Sequence, residues 1–213
     1  MEKNNLQKEN EVQENVIGAD RENNTEKASS LSILLEIIKF AILALIIIVP
    51  LRMYVASPFI VSGSSMDDTF HNGDYLIVDQ ISYKFEKLNR GDIIIFKYPK
   101  NTSKYFIKRI IGLPGETVQL NGNTTTIKND MFPGGFVLDE PYISSNMDNN
   151  ISLTLANDEY FVMGDNRAGS SDSRYWGPLR EKFIRGEAFV RLFPLTKIGL
   201  HPGSYKYNGD IQI

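Results

Sequence analysis

The chain has 213 residues, 42% of them hydrophobic, enough for one ordinary globular domain and an appendage. A formal charge of −3 and a pI near 5.5 argue against nucleic acid as a partner, since gripping phosphates requires a basic face. With no cysteine and only His71 and His201, neither a disulfide framework nor a thiolate or histidine metal centre is expected, and no cofactor is implied.

Residues 1–30 are rich in Asn, Glu and Lys, with seven acids against four bases, so this stretch carries the whole net charge and reads as a disordered tail. From Leu31 to Val49 the chain is apolar apart from Ser32, Glu36 and Lys39. That length suits one membrane-spanning helix over 31–52, with Glu36 and Lys39 three apart near one end. Lys27 and Lys39 on one side, against Arg52 on the other, orient the tail toward the cytoplasm and residues 53–213 outside. Partners are then the phospholipid membrane and a substrate reached at its surface. Leu51, Met53, Tyr54, Phe59 and Ile60 are candidates for dipping into the interface.

Beyond Ser57-Pro58 the pattern changes to period two. Strands are expected at Tyr75–Gln80, Ile93–Tyr98, Lys104–Ile111, Thr117–Leu120, Glu159–Met163 and Glu187–Phe193, with turns at Asn72-Gly73, Arg90-Gly91-Asp92, Pro114-Gly115, Asn121-Gly122, Pro133-Gly134 and Gly164-Asp165-Asn166. This predicts a mainly β, antiparallel extracytoplasmic domain, and the Asn-rich stretch Asn146–Asn150 reads as a mobile loop. The tripeptide at Arg90–Asp92 reads as a turn entering a strand rather than an adhesion signal. The Asn-x-Ser/Thr triplets at Asn101, Asn123 and Asn150 carry no weight, because that pattern is common by chance.

The stretch "VSGSSMDDTF", Val61 to Phe70, offers three serine hydroxyls, Ser62, Ser64 and Ser65, with no histidine before His71. A serine nucleophile needs a base. Neither histidine sits in a supporting motif, whereas a lysine qualifies once its surroundings keep it neutral, because burial in apolar surroundings lowers its pKa. Strand alternation in "YFIKRII" puts Phe106, Lys108 and Ile110 on one face and Tyr105, Ile107, Arg109 and Ile111 on the other. Lys108 is the lysine with apolar neighbours on its own face. Alternation alone equally describes a lysine whose stem lies on the sheet while its head reaches water.

Four blocks carry a family resemblance: "GSSM" from Gly63, "RGDIIIF" from Arg90, "KRIIGLPGE" from Lys108 and "GDNRAGSSDSRYWG" from Gly164, in this order after an apolar segment. Together they resemble the membrane-bound type I signal peptidases of bacteria, of the Gram-positive kind. The resemblance implies a monomeric serine endopeptidase that removes signal peptides from secretory preproteins after small residues at positions −1 and −3. It implies Ser65 as nucleophile, Lys108 as general base and Ser170 as the hydroxyl that orients the lysine. Asp172 and Arg174 match the family's ion pair at the site, and Arg109 and Asp165 match residues bracing the same region. The Ser65 N–H should supply one oxyanion donor; Gly63 stands where some members carry a second, hydroxyl donor. An extended substrate is expected beside Phe59, Ile60, Val61 and Ile107. Departures are Asp68 where the family has proline, Phe70 where it has leucine, and Ala168-Gly169 in place of more polar residues. They raise a second reading, a specialised or weakly active assembly factor for surface pili.

Overall fold

In the computed structural model, residues 33, 35–48, 56–143 and 150–207 are described. The chain divides into two compact units, Met1–Leu51 and Arg52–Ile213. In the first, residues 35–48 are helical and their large aliphatic side chains are exposed, as is Phe40 at 69%. Among the described residues no helix is long and apolar enough to cross a membrane. The tail 1–30, both ends of the expected span 31–52, and Leu51, Met53 and Tyr54 lie outside the described residues.

The second unit is mainly β. Its strands are β1 (Ala56–Ile60), β2 (Tyr75–Asp79), β3 (Ile93–Tyr98), β4 (Asn101–Gly112), β5 (Thr117–Asn121), β6 (Thr124–Lys128), β7 (Phe136–Val137), β8 (Asn150–Thr154), β9 (Glu159–Met163), β10 (Leu179–Arg180), β11 (Ile184–Phe193) and β12 (Gly199–Leu200). Eight form one antiparallel sheet in the order β1-β2-β11-β3-β4-β9-β10, with β12 on β11, and the other four form a second in the order β7-β6-β5-β8.

Sequence pattern accounts for the arrangement. In β3 the run Ile93-Ile94-Ile95-Phe96 is buried throughout, because a central strand has both faces covered and needs no polar alternation. Ile93 and Ile95 join Val61, Met66, Phe70, Leu76 and Val78 in one core, while Ile94 and Phe96 join Ile110, Val162 and Leu179 in another. A third core, including Ile111, Val118, Leu120, Ile127 and Phe161, joins the small sheet to the large one. Each of these large apolar side chains contributes roughly 1.5–3 kcal/mol by leaving water.

The expected strands form, with β4 starting at Asn101 rather than Lys104. Arg90–Asp92 is the turn before β3, and Arg90 is buried against Glu116 at 2.8 Å, inaccessible as an adhesion signal. The expected loop Asn146–Asn150 needs one correction: Asn150 opens β8, paired with Asn121, while residues 146–149 lie outside the described residues. A single helical turn, Ser173–Trp176, is capped by Asp172, whose carboxylate accepts from the Arg174 N–H.

Among the described residues, β1 and β4 each present an open edge, as do β7, β8 and β10. β4 pairs with β3 along its length but with β9 only from Arg109 to Gly112, so its earlier residues keep one edge free. β1 pairs with β2 and ends the sheet.

Candidate active site

Ser65 follows β1 on a loop pinned from inside. Met66 and Phe70 are buried in the core, and backbone bonds from Asp67 N to Ser64 O (3.1 Å), Thr69 N to Met66 O (3.1 Å) and Phe70 N to Met66 O (2.7 Å) close tight turns around the serine. Gly63, just before it, has φ of 99°, a conformation that glycine adopts without steric cost. The loop is therefore held on both sides of Ser65.

Lys108 reaches this serine from β4. Its Nζ lies 2.6 Å from Ser65 Oγ, the ammonium donating to the hydroxyl or, when neutral, the amine accepting the hydroxyl's proton. Nζ also donates to Ile107 O at 2.8 Å, and it stands 5.4 Å from the centre of the Phe106 ring. Lys108 is only 3% exposed. Desolvation by burial pushes its pKa down to about 8, against the opposing pull of the Asp172 and Asp165 carboxylates, with the Arg174 charge helping to lower it. The lysine is held away from water, beside the Phe106 ring that strand alternation placed on its face.

The carboxylates are themselves neutralised. Asp165, fully buried, accepts from Arg109 Nε (2.9 Å), Arg109 Nη2 (2.6 Å) and Thr69 Oγ1 (2.5 Å). Arg109 Nη1 donates onward to Gly91 O and Gly203 O, and its guanidinium lies 3.8 Å over the Tyr142 ring. Asp172 accepts from Arg174 Nε (2.7 Å) and Nη2 (2.8 Å) and from Gly164 N (3.1 Å). Such pairs are costly to break because one buried charge is then left bare.

Ser170 is buried and its Oγ has no hydrogen-bond partner among the described residues, so it makes no hydrogen bond with Lys108 here. It packs against Gly164, where an added Cβ would fall 2.3 Å from Ser65 O and 2.4 Å from Ser170 Oγ. Glycine is thus required at 164 by close approach.

Ser65 and Lys108 open into a cavity of about 390 Å³. Phe59, Ile60 and Val61 from the β1 side and Ile107 from β4 line it. Leu76, Ile95, Tyr105 and Ser171 also line it and were given no site role from sequence; the inward alternation of β2 is the signal that would have found Leu76, whereas the fully buried run of β3 gives none for Ile95. His71 and His201 are half-exposed, paired with Asp67 (3.7 Å) and Glu187 (3.0 Å), and neither lines the cavity. Among the described residues no group of His, Asp and Glu is gathered in a way that would hold a metal ion.

Asn166 lies in the block from Gly164 but was given no role from sequence, and it touches the loop that carries Ser65. It donates from Nδ2 to Ser64 O (3.0 Å) and from its backbone N–H to Ser65 O (3.2 Å). The Asp68 departure has a physical explanation: its φ is 76°, a left-handed conformation closed to proline, and its side chain is exposed.

Comparison with known proteins gives the same direction. Residues 34–193 match the family model described as signal peptidase, peptidase S26. A probable signal peptidase I-2 from Synechocystis is 36% identical over 172 residues, covering 78% of this chain and 76% of its own. The signal peptidase I of Bacillus amyloliquefaciens is 33% identical over 186 residues, covering 81% and 95%. A crystal structure of a signal peptidase I from Enterococcus faecalis is 35% identical, covers 48% of this chain and 97% of its own, and superposes with a TM-score of 0.41. A serine and a desolvated lysine at hydrogen-bond distance, and sequence relatives of this extent and identity, lead to one conclusion: the chain belongs to the signal peptidase family, peptidase S26.

Proposed function

We propose that this signal peptidase I works through a Ser65–Lys108 dyad. The carrying observation is the 2.6 Å approach of Lys108 Nζ to Ser65 Oγ within a cavity bounded by two free strand edges. Neutral Lys108 takes the hydroxyl proton as Oγ attacks the scissile carbonyl. The Ser65 N–H stabilises the oxyanion, and the resulting ammonium returns the proton to the departing amine. Water then hydrolyses the acyl ester, with the same amine as base. Ser170 is the hydroxyl that steadies the amine between steps. It is buried without a partner among the described residues, a state costing about 1–3 kcal/mol, which favours its turning toward the lysine.

The substrate is a preprotein. Its cleavage segment lies as an extra strand between the free edges of β1 and β4, with small residues at −1 and −3 entering the space beside Phe59, Ile60, Val61 and Ile107. Arg109–Asp165 and Asp172–Arg174 are the structural supports of the catalytic loop. We infer further that residues 31–52 form a single membrane span, with 1–30 cytoplasmic and 53–213 an extracytoplasmic, monomeric catalytic domain. The apolar run and the exposed aliphatic surface of residues 35–48 support this, since lipid rather than water suits such a surface. The pilus-assembly reading loses one of its motives, because exposed Asp68 fits its turn.

The test is cleavage of a preprotein bearing an Ala-x-Ala site by the full-length protein. Ser65→Ala and Lys108→Ala each abolish cleavage; unchanged activity in either refutes the dyad.

A further inference from the structure

We infer that Asn166 is a positioning residue that aims the oxyanion-binding N–H of Ser65; this rests on Ser65 being the nucleophile. The peptide unit joining Ser64 to Ser65 is planar and trans, so its C=O and N–H point in opposite directions. Fixing one end therefore aims the other. Ser64 O accepts two hydrogen bonds, from Asn166 Nδ2 at 3.0 Å and from Asp67 N at 3.1 Å, whereas the Ser65 N–H donates to no group among the described residues. The next peptide unit is held by the same residue, through the 3.2 Å bond from Asn166 N to Ser65 O. Asn166 thus grips the backbone on both sides of the serine.

The amide's orientation is itself determined. Its Oδ1 accepts from Gly169 N at 3.1 Å, so the Nδ2 end is the one turned to Ser64. A Cβ on Gly169 would stand 2.7 Å from Nδ2, which makes glycine a condition of the grip. Glycine at 169 is then coupled to the aim of the Ser65 N–H. The bonds from Asn166 to the serine loop end on backbone oxygens, so it acts on the transition state through the Ser65 backbone.

The test compares full-length wild type with Asn166→Ala, Asn166→Asp and Asn166→Ser, a residue too short to reach Ser64 O, and with Ser65→Ala as control. On a preprotein substrate kcat falls about ten- to hundredfold, less than the full loss of an oxyanion donor, while KM stays within about twofold. Asn166→Asp is the most impaired, since a carboxylate would face the Ser64 carbonyl. Ser65 Oγ adds reversibly to a peptide aldehyde, giving a hemiacetal whose oxygen takes the oxyanion's place, so affinity for that aldehyde falls by the same factor as kcat. The acidic limb of kcat/KM stays where wild type has it, because the lysine's surroundings are untouched. Unchanged kcat, or a raised KM with unchanged aldehyde affinity, overturns the inference; where Asn166→Ala does not fold, Asn166→Ser decides. Activity surviving in Ser65→Ala instead overturns the nucleophile assignment and is distinguishable from failure of the Asn166 role.

Discussion

Replacing Lys108 by methionine, a straight chain of similar volume without the amine, removes the proposed base and should also stabilise the fold near neutral pH. In the folded protein the pKa is lowered to about 8 from 10.5, chiefly by desolvation. Each unit corresponds to about 1.4 kcal/mol, so keeping this amine buried costs on the order of 3 kcal/mol where the unfolded chain holds it protonated. Losing its hydrogen bonds to Ser65 Oγ and Ile107 O offsets about 1–2 kcal/mol of that gain. The net expectation at pH 6.5 is about 1–2 kcal/mol of added stability, a rise in Tm of roughly 2–8 °C for a domain of this size. The sign with pH follows from proton counting. Between pH 8 and 10.5 the unfolded chain binds more protons at this site than the folded one, so wild-type stability rises through that window and the advantage of the variant shrinks. Below pH 8 the advantage is constant. Thermal melts of both proteins in the same detergent at pH 6.5, 8 and 10.5 measure it. A variant less stable than wild type at pH 6.5, or a gap that does not change with pH, would refute the account of a dry amine.

The same pKa sets the activity profile: about a tenth of the lysine is neutral at pH 7, so kcat/KM on a preprotein should rise roughly tenfold from pH 7 to a plateau above 9. Arg174→Gln, which strips Asp172 of its cation, should move that limb to higher pH and lower Tm; a limb that stays in place counts against electrostatic control by the pair. Asp68→Gly should leave stability and activity near wild type, whereas Asp68→Pro should cost about 3 kcal/mol in denaturant titrations, because proline cannot adopt φ of 76°; equal stability of the two would contradict this turn. Gly164→Ala should lower kcat about a hundredfold by displacing the Ser65 carbonyl, and wild-type kcat would show that the approach is looser than 2.3 Å.

The sequence by itself determined the period-two strands, the turns between them and the absence of a histidine in a motif suited to a base. It also determined that Lys108 shares a strand face with Phe106 and Ile110. These are legible because side-chain alternation and turn chemistry are local, set within a few residues. The four blocks pointed to Ser65, Lys108, Ser170 and the charged residues around them as the proposed site. Whether Lys108 snorkels to water or stays dry was undecided by alternation, and only the tertiary structure resolved it, by bringing a loop 43 residues away against the amine. The pairing of Arg109 with Asp165 across 56 residues, the free edges of β1 and β4, and the closeness of Gly164 to Ser65 are likewise products of sheet order. Asp68 shows the limit from the other side: the residue signalled a departure, but its left-handed backbone, which excludes proline, is a property of the closed turn. Side-chain period is written one residue at a time, whereas desolvation and charge pairing depend on which distant segments become neighbours, and that is settled only when the sheets assemble.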